Sequence, residues 1–362
     1  MTTEEITVRY IDDVARDRER FQTLLAAKRF RVEAEAPSAN MKIRQILDGG
    51  PDVFLVDYEL TKKERGRETV TYQGGTLASA IRESCPERPI VLFTRESLMR
   101  GSYQVAEDVR GSFDDIIYKG TVEGEPERAR TMIASLARGF KALRQKRNRS
   151  WEALFACLGA RATEHDVLRR AAPPMSPWAK KGQWRVHEAS HWIRRVVLEY
   201  PGIIYDELHA ATALGISTES FKTNRLQSHL ASARYIGVFE EEAPRWWRNR
   251  VLGLAHQLMA ETGVAGPVDS QFAEAFRRKT GIRLRPSICV FSGERPADCV
   301  CYILRKPVKR QYSLLYRPDN RPAVMEEARV SFKAIREDNQ VFDELFDEST
   351  QTLLVEIRRT GQ

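Results

Sequence analysis

Four short apolar runs in the first third of the chain each stop on a charged or hydroxyl residue. ITVRYIDD stops at Asp12 and Asp13, DVFLVD at Asp57, PIVLFT at Thr94 and DDIIYKG at Lys119. A fifth run, FRVEAEA at 30–36, alternates apolar and polar residues. Short runs rich in β-branched and aromatic residues read as strands. Between them lie stretches of helical spacing: VARDRERFQTLLAAK, MKIRQILDGG, GTLASAIRESC and EPERARTMIASLARGFKALRQ. Strands alternating with amphipathic helices predict βα units and a parallel, doubly wound sheet.

In such a sheet ligands bind just beyond the carboxyl ends of the strands. The pattern therefore predicts that Asp12, Asp13, Asp57, Thr94 and Lys119 meet on one rim. Three carboxylates on one rim repel one another unless a cation binds, and hard oxygen ligands suit Mg²⁺. A carboxylate can also act as nucleophile toward a phosphoryl group, forming an acyl phosphate. That chemistry needs charge neutralisation and positioning more than proton transfer. The Lys119 ammonium supplies part of the neutralisation, and the Thr94 hydroxyl can bond a phosphoryl oxygen.

The acidic pair Asp12–Asp13, the acceptor Asp57, the strand-end Thr94 and the Lys119–Gly120 pair, in this order, make residues 5–147 resemble a response-regulator receiver domain of two-component signalling. The resemblance implies a flavodoxin-like fold of five parallel strands. It also implies a histidine kinase or phosphotransfer protein as phosphodonor, Mg²⁺ as cofactor, Asp57 as phosphoacceptor and a possible homodimer through the receiver. Some positions depart from the family. TKKERGRETVTYQ at 61–73 delays Gly74–Gly75 by roughly ten residues beyond an ordinary βα loop, and reads as a partner-specific lid or a surface insertion. Gly120 stands where the family has a cis proline. Arg95 follows Thr94 where the family prefers a small residue. Ile116 takes the place of the switch aromatic, and Tyr118 has the opposite strand parity. Arg9 is unexpected inside a doubly covered strand.

The remainder carries weaker signals. The last receiver helix reads as continuing through KALRQKRNRSWEALFACLGA, a helical connector. Beyond the Pro-rich AAPPMSPWAKKGQW at 171–184, DELHAATALG, a Gly215 stop, a cap at Ser217 or Thr218 and SFKTNRLQSHLASARY form a helix-turn-helix pattern, with RYIGVF as the strand of a wing. Ser220, Lys222, Thr223 and Arg225 are its candidate DNA-reading positions, although Glu219 at the helix start opposes phosphate. His187 and His191 lack the glutamate of a zinc-protease motif and read as structural. Residues 270–362 read as α/β. Their predicted strands are SICVFSG, DCVCYILRK, QYSLLYR and TLLVEIRR, with a helix over AVMEEARVSFKAIREDNQVFDELF. Cys289, Cys299 and Cys301 do not match zinc-site spacing and read as small buried hydrophobes. No independent enzyme motif is present beyond the receiver's own phosphoryl transfer.

The resulting division is 1–147 receiver, 148–262 helical connector with a winged-helix-like domain, and 263–362 a C-terminal α/β domain. The net charge of +8 is spread as +3 over 1–150, +2 over 151–262 and +3 over the rest, so no segment is a basic module for phosphate backbones. No apolar run approaches the roughly 20 residues of a membrane span, and the polar N-terminus lacks a signal-peptide pattern. Five cysteines set no disulfide framework. The expectation is a cytoplasmic response regulator that acts through C-terminal effector domains by protein–protein contact. The alternatives are a DNA-binding transcriptional regulator and a cryptic enzyme in the C-terminal domain.

Overall fold

The computed structural model describes residues 5–38, 40, 42–61, 70–96, 112–172, 184–199, 201–316, 325–337, 357 and 359. They fall into two compact units. The first comprises Met1–Gly159, Pro174–Trp192 and Gly237–Glu242; the second comprises Ala160–Pro173, Ile193–Ile236 and Ala243–Gln362. The second unit thus runs across the expected 262/263 boundary. Among the described residues no helix is long and apolar enough to cross a membrane.

The first unit is built on β1 (Ile6–Ile11), β2 (Phe30–Glu35), β3 (Val53–Val56), β4 (Ile90–Thr94) and β5 (Asp115–Tyr118). All pairings are parallel and the order is β2-β1-β3-β4-β5, the flavodoxin-like order. Every residue of VFLV and IVLFT is buried, as strands covered on both faces require. Helix α1 (Ala15–Leu25) buries Phe21 and Leu25. Tyr10, Phe21 and Phe93 meet edge to face, with centroids 5.0–6.4 Å apart. Helices α2 (Ile43–Leu47) and α3 (Gly74–Ser84) cover the β3–β4 region with Ile46, Leu77, Ala78 and Ile81. Arg9 has a physical account here. It lies opposite Glu33 in the β1–β2 register, pairs with Glu33 at 3.0 Å and Glu35 at 3.2 Å, and donates to the Asp48 carbonyl at 2.6 Å.

After β5 come α4 (Lys119–Gly124) and α5 (Pro126–Arg144), whose apolar face buries Ile133, Leu136, Phe140 and Leu143. The continuous connector helix is not formed. Helix α5 stops at Arg144, and α6 (Trp151–Cys157) begins anew with Ser150 as N-cap, its side chain accepting from the Ala153 N–H. Asn148 accepts from the Ser150 N–H at 3.0 Å. Asparagine and serine satisfy the backbone locally and end a helix even where apolar spacing continues. The Gly237–Glu242 segment packs in this unit too: Phe239 fills a notch at Gly139, where a Cβ would stand 2.1 Å from its ring.

In the second unit, α7 (His165–Ala171) lies in the earlier segment, α8 (Val186–Trp192) belonging to the first unit. Strand β6 (Ile204–Asp206) pairs antiparallel with β7 (Arg245–Trp247). Helix α9 (Glu207–Ala213) ends at Gly215, whose φ of +69° and position against the Asp269 carbonyl leave no room for a side chain. The expected long second helix is broken. It forms α10 (Thr218–Phe221) and α11 (Asn224–His229), with Thr223 as the N-cap between them. Lys222, Thr223 and Arg225 lie exposed at that corner, with Lys222 paired to Glu207 at 3.1 Å. Ser220 is buried and accepts from the Arg285 N–H at 2.7 Å, so it is not available to read bases. RYIGVF is no strand: it holds one bridge, Arg234 to Trp246, and a positive φ at Phe239.

Helices α12 (Arg248–Glu261) and α13 (Val268–Thr280) complete a core containing Leu214, Phe221, Trp246, Leu258, Phe272 and Phe276. A four-stranded sheet follows in the order β10-β11-β8-β9, from β8 (Cys299–Cys301), β9 (Lys306–Val308), β10 (Ser313–Tyr316) and β11 (Ala328–Ser331). Two expectations are corrected. SICVFSG is not a strand; the chain turns there, with Gly293 at φ +75° and its N–H bonded to the Cys289 carbonyl at 2.9 Å. Within the expected helix over 323–346, residues 328–331 form β11 and only α14 (Phe332–Glu337) is helical among the described residues. TLLVEIRR lies almost wholly outside the described residues. The cysteine sulfurs bond separately: Cys289 accepts from the Lys309 N–H, Cys301 from the Ser331 N–H, and Cys299 donates to the Val308 carbonyl, all at 3.3 Å.

Candidate functional site

Four of the five strands of the first unit, β1, β3, β4 and β5, deliver a polar terminus to the same rim. Asp12 and Asp13 follow β1, Asp57 follows β3, Thr94 ends β4, and Lys119 follows β5. The approach of α3 to this rim requires glycine, since a Cβ on Gly74 would sit 2.0 Å from the Asp57 carbonyl oxygen. Asp12, Asp13 and Asp57 are all buried and present carboxylate oxygens within 4.8 Å of one another. Lys119, also buried, donates from Nζ to Asp12 at 2.7 Å and to Asp57 at 3.1 Å. The second Asp57 oxygen accepts from the Tyr58 N–H at 2.9 Å. Thr94 is fully buried, and its Oγ1 has no hydrogen-bond partner among the described residues. Asp12, Asp13, Asp57 and Lys119 thus form one buried cluster, and Thr94 lies at the end of the strand that pairs with the one leading to Lys119.

The structure adds members that strand-end spacing does not mark. Asp17, in the first turn of α1, is buried and accepts from Lys119 Nζ at 3.1 Å and from Arg95 at 3.3 Å. Its place in the first turn of α1, five residues after Asp12, was the available signal. Arg18 donates to the Asp12 carbonyl at 2.7 Å, and the Tyr10 hydroxyl donates to Asp12 Oδ2 at 2.5 Å. Arg95, the bulky residue after Thr94, is held at the mouth by Asp17 with its side chain 62% exposed.

The electrostatics follow from crowding. Burial pushes the Asp57 carboxyl up to about 7; Lys119 opposes the rise and Asp12 adds to it. Burial works to lower Lys119, but Asp57 and Asp12 outweigh it and hold the ammonium above its ordinary range. Burial also opposes ionisation of Asp17, which Lys119 and Arg95 nevertheless hold below the usual carboxylate range. Burial, then Asp12, raise the Tyr10 phenol, keeping it a donor.

The donor set fits a hard divalent ion. It offers three carboxylates and no soft ligand. Ligand bonds of about 2.0–2.1 Å to Mg²⁺ bring coordinating oxygens within roughly 4 Å of each other, a small rotation from the observed spread. The buried, partnerless Thr94 hydroxyl is a second indication that the rim is built for an oxyanion. Among the family's other positions, Ile116 packs against the β3–β4 core, and Lys119–Gly120 opens α4. Of the 61–73 insertion, residues 62–69 lie outside the described residues.

No protein-family model matches the sequence, and no curated protein matches it. The chain is similar in part to solved structures. A LuxR-family two-component response regulator from Aurantimonas sp. matches at 20% identity, covering 38% of this chain and 87% of that one, with a TM-score of 0.30. The receiver domain of NtrX from Brucella abortus matches at 20% identity, covering 34% and 97%, with a TM-score of 0.27. A CheY-like response regulator receiver domain protein from Methanospirillum hungatei matches at 14% identity, covering 37% and 98%, with a TM-score of 0.30. Independently of these distant likenesses, the parallel order β2-β1-β3-β4-β5 gives the first unit a flavodoxin-like fold.

Proposed function

We propose that the chain is a response regulator phosphorylated on Asp57 in a Mg²⁺-dependent way. The observation that carries this reading is the convergence of Asp12, Asp13, Asp57 and Lys119 in one buried cluster beside the partnerless Thr94 hydroxyl. A carboxylate oxygen of Asp57 attacks the phosphorus of a phosphohistidine on a kinase or phosphotransfer protein. The new P–O bond forms as the P–N bond breaks, and the departing imidazole takes its proton from solvent. The Lys119 ammonium compensates the charge added at Asp57, and the Thr94 hydroxyl donates to a phosphoryl oxygen. Asp12, Asp13 and Asp57 would hold Mg²⁺, which when bound neutralises the transferring group.

Phosphorylation adds charge in a site already crowded with carboxylates, so Lys119 changes partners, Thr94 gains one and the β4–β5 end of the rim rearranges. The second unit then serves as effector through protein–protein contact, and the receiver can pair as a homodimer. Intact-mass measurement after incubation with acetyl phosphate and Mg²⁺ tests the chemistry. One phosphoryl group should appear on the wild type and none on Asp57→Ala. Absence of the adduct from wild type, or its persistence in the variant, overturns the reading. Light scattering with beryllofluoride tests the homodimer.

A further inference from the structure

The second unit holds a cavity of about 270 Å³ between α9, β8 and β11, lined by both signs of charge. His209 is one wall. It is 8% exposed, and its ring stands beside Asp206, whose Oδ1 takes the His209 backbone N–H at 2.8 Å and contacts Nδ1 at 2.7 Å. Burial works to raise the Asp206 carboxyl, but His209, with help from Arg305, holds it well below the usual range. With Nδ1 engaged by a carboxylate, Nε2 is the nitrogen left over.

Arg248, Arg310 and Arg329 face the cavity, and so do Asp298, Glu326 and Glu327, so the lining carries equal numbers of each sign. The arginine–glutamate pairs are long, Arg248–Glu326 at 3.3 Å, Arg310–Glu327 at 3.6 Å and Arg329–Glu327 at 3.7 Å, while Glu326 also accepts from the Tyr205 hydroxyl and Asp298 from the Arg310 N–H at 2.7 Å. Arg329 Nη1 is spent on the Arg310 carbonyl and on Ser313, but its buried Nε has no hydrogen-bond partner. Each guanidinium has five N–H donors, so donor capacity remains. Acceptor capacity remains too, on Glu327, whose guanidinium contacts are both longer than 3.5 Å. A dianion such as phosphate would meet three carboxylates, and a polycation three guanidinium groups. A ligand carrying both signs leaves neither set facing its own kind. Val300, Tyr302 and Met325 supply apolar wall for a short side chain. The volume lies just below the range of about 300–1,000 Å³ common for small-molecule sites.

We propose that this cavity binds a small zwitterion of the α-amino acid class, its carboxylate on Arg310 and Arg329 and its ammonium on the carboxylates that face the cavity, Glu327 first. Guanidinium–carboxylate recognition is directional and can be bidentate, and a ligand that binds only the folded chain raises its melting temperature.

The test is thermal unfolding of the full-length chain titrated with each proteinogenic α-amino acid, with inorganic phosphate as a separate arm. At least one amino acid should give a saturable rise with a Kd below about 1 mM. Its decarboxylated amine and its deaminated acid should each bind at least about tenfold more weakly. Arg310→Gln, at a position 60% exposed in its side chain, should fold normally and lose the response. Asp57→Ala should keep it, which separates this site from the receiver rim. No saturable response to any amino acid overturns the proposal. So does binding of the amine, the acid or phosphate as tightly as the amino acid, or an undiminished response in Arg310→Gln.

Discussion

Replacing Asp57 by asparagine should stabilise the metal-free protein, increasingly so as pH rises. Asp57 is 6% exposed, and burial lifts its carboxyl from an ordinary 3.8 to about 7. A carboxyl raised in the folded state is bound by its proton more tightly there than in the unfolded chain. Folding therefore loses stability as pH climbs from about 4 to about 7 and stays at the lower level above that. At about 1.4 kcal/mol per pKa unit, the cost of ionised Asp57 at pH 8 is on the order of 4 kcal/mol. Asparagine, always neutral, avoids that cost but leaves Lys119 with one fewer charged partner, so the net gain falls below this figure. Urea unfolding read by hydrogen-exchange mass spectrometry on peptides from β1 and β3 isolates the first unit. Wild type and Asp57→Asn should coincide near pH 4 and diverge toward pH 8, the variant being more resistant. Mg²⁺ should then close the gap by stabilising wild type alone. A gap that does not widen with pH, or equal stabilisation of both proteins by Mg²⁺, would refute the account of the rim as a strained carboxylate cluster awaiting a cation.

Asp17→Asn removes a carboxylate from the mouth and releases Arg95. A unit charge several ångströms from an incoming phosphodonor is worth on the order of 1 kcal/mol at the dielectric of a protein surface. Phosphorylation by acetyl phosphate should thus be faster by up to about tenfold, measured by intact mass against time. Gly139→Leu should collide with Phe239 and lower stability by about 1–3 kcal/mol; adding Phe239→Ala should recover part of that loss in a thermal-melt cycle. Gly215→Ala should lower stability by more than about 1–2 kcal/mol, because a left-handed φ and the Asp269 backbone both oppose a Cβ. His187 is pushed down to about 4 from 6.5 by burial, with Arg82 and Arg185 adding to it. Its neutral form is favoured on folding, so the first unit should weaken as pH falls from about 6.5 to 4, and His187→Gln should flatten that slope.

What could be read in advance was whatever a single local pattern fixes. Asp12, Asp57, Thr94 and Lys119 were legible because a parallel sheet has one carboxyl edge: knowing where four strands stop is enough to bring their termini together. Asp17 was not legible from strand ends, because it lies on α1 and strand spacing does not tell which helix side chain meets Lys119. The breaks at Ser150 and Thr223 were missed for a different reason. Apolar spacing runs on through both, while Ser150 and Asn148 each take one backbone N–H and the Thr223 hydroxyl donates to the Ser220 carbonyl, local bonds that compete with a continuing helix. Residues 328–331 illustrate the converse. ARVS lies inside an amphipathic stretch that suits a helix, yet it pairs on one side with Ser313–Tyr316 and on the other with Cys301. Four residues cannot distinguish a period of 2 from one of 3.6, so the neighbouring strands decide. The cavity beside His209 belongs to this last category. Its arginines, glutamates and histidine come from 209, 248, 310 and 326–329, a spread that no motif registers, and they meet only once β8 and β11 pair and α9 packs on them.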